Sequence, residues 1–298
     1  MRIVVAGSSG FLGGHLLAAL HTDGHDVTRL VRRPPTSPDE VRWDPGRGEL
    51  DPGVLADTDA VINLTGVNIG ARRWTDEFKA ELRASRVEPT AALARTAAAL
   101  PEPHRPKALF NASAVGYYGD TDDRTVTEQS PSGEGFFAAL CRDWEAATEP
   151  AEEAGIRVVR LRTGLPLAAN GGLLKPLLLQ FRLFAGGRIG TGRQFMPWIS
   201  MADWVGAIRF LLYRVDISGP VNLCGPNPVR NAEFARALGA VLHRPAILPV
   251  PWLAMRAVLG ELADEAVASV RVLPGVLTQT GYEFQHSDVR AALRAALR

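Results

Sequence analysis

The sequence predicts an α/β protein: a Rossmann-type doubly wound parallel sheet followed by a small C-terminal α+β domain. Three observations predict it. Met1 to Val31 reads as strand, glycine turn, helix and strand. Strand and helix signals then alternate as far as Leu161. Beyond Thr163 the texture changes to short apolar segments broken by Gly171-Gly172, Gly186-Gly187 and Gly190/Gly192, with a proline-rich stretch from Pro245 to Pro251. We therefore place a Rossmann domain at residues 1–165, its sheet completed by a return of the chain within 200–225, and a smaller substrate-covering domain at 166–298.

Each element has its own signal. Met1 to Ala6 is a β-branched run that ends at Gly7-Ser8-Ser9-Gly10-Phe11-Leu12-Gly13, and an apolar-periodic helix follows to His21. Asp26 to Val31 is the second strand. Pro34 to Asp57 is polar, with a short strand at Val41-Arg42-Trp43. Ala60 to Leu64 is a buried-type strand ending at Thr65-Gly66, and a long helix from about Asp76 to Leu100 follows, broken near Pro89. Ala108 to Ala112 is the next strand. A polar loop from Gly119 to Gly135 leads into a helix from Phe136 to about Ala154, then a strand at Arg157 to Leu161. Later helices are expected near Asp203 to Tyr213, Asn231 to Leu242 and Ser287 to Leu297, with Asp203 opening the first of them in a structural role. Val221-Asn222-Leu223 returns the chain to the first sheet.

The glycine turn lets a dinucleotide pyrophosphate approach the backbone and sit at a helix amino end. Gly7, Ser8, Ser9, Gly10, Phe11 and Leu12 are its candidate contacts. A chain that selects NAD places an acid after the second strand to bind the ribose 2′-hydroxyl. Here that strand runs into Arg32 and Arg33, with no Asp or Glu nearby. Guanidinium forks suit a 2′-phosphate, so the expected cofactor is NADP(H), held chiefly by Arg32 with Arg33 helping. Leu64 and Thr65 are expected along the ribose and adenine, and Ala112 at the next strand end.

Composition narrows the classes. The 298 residues are 46% hydrophobic and 22% charged with a net charge of +1, which makes no case for nucleic acid or an anionic membrane as partner. No apolar run reaches the roughly 20 residues of a membrane span. Two cysteines build neither a disulfide framework nor a cysteine-only zinc site, and the six histidines lack metal-ligand spacing. The chain opens on a core strand rather than a basic-then-apolar leader, so a cytoplasmic protein is expected. A small-molecule substrate is expected, and the sequence leaves monomer and homodimer open.

Gly7-x-x-Gly10-x-x-Gly13, Asn63-Leu-Thr-Gly66 and Ser113-Ala-Val-Gly-Tyr-Tyr118-Gly119 together resemble the extended short-chain dehydrogenase/reductase superfamily, the group of nucleotide-sugar epimerases and dehydratases. Further segments resemble its atypical epimerase-like branch, which includes cell-division-inhibitor-like members. They are Arg72-Arg73-Trp74, Ser85-Arg86, Gly190-x-Gly192-x-x-Phe195-x-Pro197-Trp198-Ile199, Asn231-Ala-Glu-Phe234, Gly260-Glu261, Leu273-Pro274 and Gly281-Tyr282-Glu-Phe284. The resemblance covers the whole chain. It implies a Rossmann domain with a small C-terminal domain and NADPH as the usual cofactor. It also implies that Glu81 and Arg86 on the long helix face the cofactor ribose and phosphates.

The superfamily's catalytic set is a Ser or Thr with Tyr-x-x-x-Lys. The Lys, one helical turn on, stabilises a phenolate that otherwise forms only near pH 10. This chain has no Tyr-x-x-x-Lys. By the superfamily pattern Phe137 takes the Tyr position and Cys141 the Lys position, with Glu145 one turn further on. The Ser/Thr position falls on Ala114, beside Ser113. Cys141 on an apolar helix face reads as buried and inert. Tyr117 and Tyr118 lie just past a strand's carboxyl end, where either can point at the nicotinamide side; Tyr117 is the preferred proton donor, and Ser113 is expected to face the reacting carbon with it. Arg162 and the stretch Thr163 to Pro166 are expected to line the nicotinamide end, and Arg193 and Trp198 to meet a substrate anion and ring. The reading that follows is an NADP(H)-dependent oxidoreductase or epimerase-like enzyme with a noncanonical active site. A noncatalytic NADPH-binding regulator is the second reading, and an ordinary nucleotide-sugar epimerase the third, because its chemistry needs the missing Tyr.

Overall fold

Seven parallel strands form one sheet in this computed structural model, which describes the backbone of residues 1–298 and every side chain except those of Ala254, Val258, Leu259 and Ala266. They are β1 (Arg2–Ala6), β2 (Asp26–Val31), β3 (Glu40–Arg42), β4 (Ala60–Asn63), β5 (Ala108–Ala114), and the later strands Arg157–Thr163 and Gly219–Leu223. Across the sheet the order is Gly219–Leu223, Arg157–Thr163, β5, β4, β1, β2, β3. From β1 the chain builds outward to β2 and β3, then crosses back to β4, so a crevice opens where β1 and β4 diverge.

Alternation along the strands separates two cores. Ile3, Val5, Ile62 and Phe110 pack on one face beneath α1 (Phe11–Thr22) and helix Met201–Tyr213. Val4, Ala6, Val61 and Leu109 pack on the other beneath α2 (Asp76–Ala99). α3 (Phe136–Ala146) continues that second layer. Helices Leu174–Arg182, Asn231–Leu242 and Val289–Ala296 enclose a third cluster around Phe181, Trp198, Phe234 and Leu293.

Some details depart from the sequence-based expectation. α2 runs unbroken through a buried Pro89, because one forgone hydrogen bond is outweighed by the packing of Thr90, Leu93 and Ala97 around it. The helix expected over 136–154 divides at Ala147–Thr148, and a second helix restarts at Glu149 with Pro150 in its first turn, where the missing N–H costs nothing. Helices Leu174–Arg182, Trp252–Leu259, Leu262–Val267 and Gly275–Gln279 were not foreseen. No helix among the described residues is long and apolar enough to cross a membrane.

Ser200 caps helix Met201–Tyr213, its Oγ accepting from the Asp203 N–H at 2.9 Å and donating to Asp203 Oδ2 at 2.6 Å. The same carboxylate accepts the backbone N–H groups of Gln285 (2.7 Å) and His286 (3.0 Å). Asp203 thus clamps the C-terminal segment to the sheet's helix layer. Asp203→Ala removes the acceptor of the buried Ser200 hydroxyl and of the Gln285 and His286 amides, and we expect it to lower unfolding free energy by about 3 kcal/mol in urea titrations.

Candidate functional site

The carboxyl ends of β1 and β4 meet at glycine. Gly7 has φ +81°, and a Cβ there would stand 2.7 Å from the Leu64 carbonyl carbon. A Cβ on Gly13 would stand 2.2 Å from the Gly7 oxygen, so α1 can close onto the turn only with glycine in that place. No side chain caps α1 at Gly10, and its first turn holds no acid. The Phe11, Leu12 and Gly13 amides therefore lack intrahelical acceptors. Ser8 is buried, while Ser9 and Gly10 are exposed. The Phe11 ring lies under the 170–172 loop, where Gly171 leaves it room. Across the crevice Leu64 and Thr65 are half-buried, as is Ala112 on β5. Thr65 donates its N–H and hydroxyl to Asn63 Oδ1 (3.2 and 2.7 Å), and Asn63 in turn is held by Asn111 (2.7 Å) and Thr90 (2.9 Å).

At the tip of β2 the two arginines part company. Arg32 is exposed and forms no ion pair or side-chain hydrogen bond among the described residues. Arg33 is engaged bidentately by Glu40, at 2.6 and 2.8 Å. That corrects two expectations: an acid does lie beside the tip, and Arg33 is not available to a ligand. Parallel pairing of β3 on β2, with Glu40 level with Arg29, brings the carboxylate there. The Arg33 fork, with the Thr36 N–H, holds Glu40 down at about 2, so it stays ionised and committed to these donors.

The expected catalytic region is organised by a buried ion pair. Arg162, level with Ser113 on one neighbouring strand and Asn222 on the other, donates twice to Glu145, each at 2.8 Å. A third donor reaches the Tyr118 hydroxyl at 2.9 Å, and that hydroxyl passes to Asn222 Oδ1 at 2.8 Å. Ser113 donates to Glu145 Oε1 at 2.6 Å and is 3% exposed. Ser113 and Arg162 are thus corrected: strand alternation turns both toward α3, where they hold Glu145 rather than a ligand. Burial pushes the Tyr118 phenol up to about 12, which removes it from proton transfer near neutrality. Tyr117 differs. Its half-buried ring lies against the Arg162 guanidinium, 3.5 Å from carbon to centroid, and its hydroxyl has no partner among the described residues.

The vacated positions are filled by packing. Phe137 lies over Gly116, where a Cβ would fall 1.9 Å from the ring, and stacks with Trp74 at 6.1 Å. Cys141 is buried, and burial together with Glu145 pushes its thiol up to about 12. It therefore stays protonated and inert, as expected.

The remaining candidates scatter. Glu81 is half-buried and pairs with Arg72. Arg86, five residues on and so on another helix face, is buried, donating to the Leu82 and Val67 carbonyls at 3.0 Å each. The two do not converge, and the Glu81 carboxylate is engaged by Arg72. Burial lowers Arg86 to about 10, which leaves it cationic at neutral pH beneath Gly66. Pro166 is half-buried on the short strand Leu165–Leu167. Trp198 is buried with its indole N–H on the Asn227 carbonyl (3.1 Å), so it offers no face to a substrate. Arg193 is exposed on a cleft of about 510 Å³ that Asp120, Asp123, Arg230 and Trp252 also line.

Sequence reasoning assigned no role to Glu40, Glu145, Asn111 or Asn222, and it placed Tyr118 with Tyr117 at the nicotinamide side, where the structure instead buries it between Arg162 and Asn222. One signal existed: Glu145 falls at helical spacing on the apolar face that carries Ala138 and Cys141, where a charge requires a buried partner.

Comparison with known proteins supplies context for this geometry. The model of the NAD dependent epimerase/dehydratase family matches residues 3–224, and a domain of unknown function (DUF1731) matches residues 250–296. Epimerase family protein Mb2239 of Mycobacterium bovis is 47% identical over 292 residues, covering 98% of this chain and 96% of that protein. Mouse epimerase family protein SDR39U1 is 39% identical over 298 residues, covering 99% of each. The crystal structure of human SDR39U1 (isoform 2) with NADPH superposes with a TM-score of 0.91 at 36% identity, covering 100% of both chains.

Glu145→Ala strands the Arg162 charge in the interior, and we expect it to cost about 4 kcal/mol in chemical denaturation. The double variant Glu145→Leu, Arg162→Met removes both charges and should recover most of that loss.

Proposed function

The chain belongs to the NAD-dependent epimerase/dehydratase family, and on that premise we propose that it is an NADP(H)-dependent oxidoreductase or epimerase-like enzyme acting on a small molecule. The observation that carries the reading is the pairing of an uncapped, acid-free α1 amino end with an unengaged Arg32 at the tip of β2. Gly7 to Leu12 would hold the pyrophosphate at the free amides of that first turn. Arg32 would hold the 2′-phosphate, while Glu40 keeps Arg33 aside. Leu64, Thr65 and Ala112 would line the dinucleotide and Pro166 its nicotinamide end. The human relative crystallised with NADPH supports this choice of coenzyme.

When bound, the coenzyme supplies hydride chemistry. The chain's own task is to orient the substrate and move a proton. Tyr117 presents a hydroxyl without a protein partner, and Arg162 fixes its ring from beneath. A cation held there offsets the negative charge that develops as the proton leaves. Arg162 in turn is held by Glu145, so the tyrosine–cation pair of the superfamily is rebuilt from a strand and a turn rather than from one helix. Phe137 and Cys141 favour a second reading, a noncatalytic NADPH-binding regulator, since neither side chain can relay a proton.

Thermal shift should favour NADPH over NADH by mass action on the folded state, and Arg32→Ala should erase the preference by weakening NADPH about tenfold or more. Equal shifts in the unmodified protein would remove the Arg32 assignment. Tyr117→Phe should cut turnover on a carbonyl panel about a hundredfold while leaving NADPH affinity unchanged. An unaltered rate sinks the proton-donor role, and NADPH binding without turnover on any carbonyl favours the regulator.

A further inference from the structure

Six large apolar side chains stand in solvent on two neighbouring stretches of the C-terminal half: Leu179 (62% exposed), Leu183 (69%), Phe184 (56%), Ile247 (77%), Leu248 (49%) and Leu253 (71%). Helix Leu174–Arg182 buries Leu174, Leu178 and Phe181 and turns Lys175, Leu179 and Arg182 outward, with Leu183 following on the same side. A soluble helix normally keeps leucines off that face. The 244–250 segment lies alongside. The Leu248 N–H donates to the Gly186 carbonyl at 3.1 Å, the Val250 N–H to the Arg188 carbonyl at 2.8 Å, and the Arg244 guanidinium covers the Phe184 ring at 4.6 Å. These contacts set the segment that carries Ile247 and Leu248 beside the one that carries Leu179, Leu183 and Phe184, and the patch comprises these five side chains.

Its charge is one-sided. No Asp or Glu occurs between Glu153 and Asp203, or between Glu233 and Glu261. Lys175, Arg182, Arg188, Arg244 and Arg256 accompany the patch, and none of them forms an ion pair among the described residues. The whole-chain net charge of +1 averages this asymmetry away, which is why composition alone argued against an anionic surface. A patch of this kind marks an interaction site. A second copy of the chain is disfavoured, because a two-fold contact would set the same cations face to face. A bilayer interface meets both features at once. It accepts protruding leucines without a matching shape, and its anionic headgroups complement unpaired lysine and arginine.

We propose that this face docks peripherally on an anionic lipid bilayer, with Leu179, Leu183, Phe184 and Ile247 entering the headgroup–acyl boundary. The test is vesicle co-sedimentation of the full chain. It should bind phosphatidylglycerol–phosphatidylcholine vesicles at least about tenfold more strongly than pure phosphatidylcholine, and raised salt should weaken the binding. Leu183→Glu with Ile247→Glu should reduce binding about tenfold or more, while melting temperature and NADPH response stay as in the parent, since both side chains are exposed. Lipid-independent sedimentation, binding unaffected by the double variant, or self-association in solution that the same variant abolishes would each overturn the proposal. The last two outcomes assign the lipid contact to a different surface, or the patch to a homodimer seam. No binding to either vesicle, with an acidic protein as the only ligand found, also overturns it.

Discussion

A guanidinium withdrawn from water has to keep a carboxylate in its fork, because an uncompensated charge in the interior costs several kcal/mol. Arg162 sits under that constraint in the middle of three adjacent strands, and Glu145 answers it from α3 with two bonds of 2.8 Å. Much of the candidate site follows from that pairing. Ser113 is drawn to Glu145, Tyr118 is held between Arg162 and Asn222, and the Tyr117 ring rests on the guanidinium plane. Moving the pair would displace the end of β5, the Val115–Tyr118 turn and α3 together. The one polar group in this set left without a partner, the Tyr117 hydroxyl, is presented by a scaffold that has no slack.

The vacated superfamily positions make sense beside this pair. A lysine at position 141 would bring a third cation toward Arg162 and Arg86, whose charges already act on the Cys141 thiol. A neutral, buried thiol avoids that repulsion. Phe137 fills the place of a catalytic phenol by lying over Gly116 and stacking on Trp74. It thereby braces the turn from which Tyr117 projects. Loss of one relay and support of another residue are then two aspects of the same packing.

How much of this was legible follows from the distance over which each feature is encoded. Strands buried on both faces read as β-branched runs, and the turn at Gly7, Gly10 and Gly13 is specified within seven residues, so the sheet and its amino-terminal crevice were visible in the sequence. The ion-pair assignments were not. Arg33 meets Glu40 only because β3, three residues long, pairs in parallel with β2. Ser113 lies 32 residues from Glu145, and Arg162 lies 17 from it. A side chain's residue type suggested what it could bind, but not which partner would reach it first. Ser113, Arg33, Glu81 and Arg162 were each read as ligand contacts, and each is engaged by another side chain. Arg32, Arg193 and Tyr117 are among the candidates whose polar ends stayed open among the described residues.

The same long-range bonds bear on how the two halves of the chain work together. Hydrogen bonds from the Arg162 network cross the boundary that the change of composition led us to expect at residue 165. Asn222 accepts from Tyr118 and donates to the Leu273 carbonyl at 2.9 Å. Glu128 Oε1 accepts the N–H groups of Asn222 (3.0 Å) and Val276 (3.1 Å). Strand Arg271–Val272 pairs with Thr125–Val126, extending the loop that follows Tyr118. A segment tied through buried polar groups to the ion pair beneath Tyr117 cannot swing as a lid on a free hinge, since opening would strand those donors and acceptors.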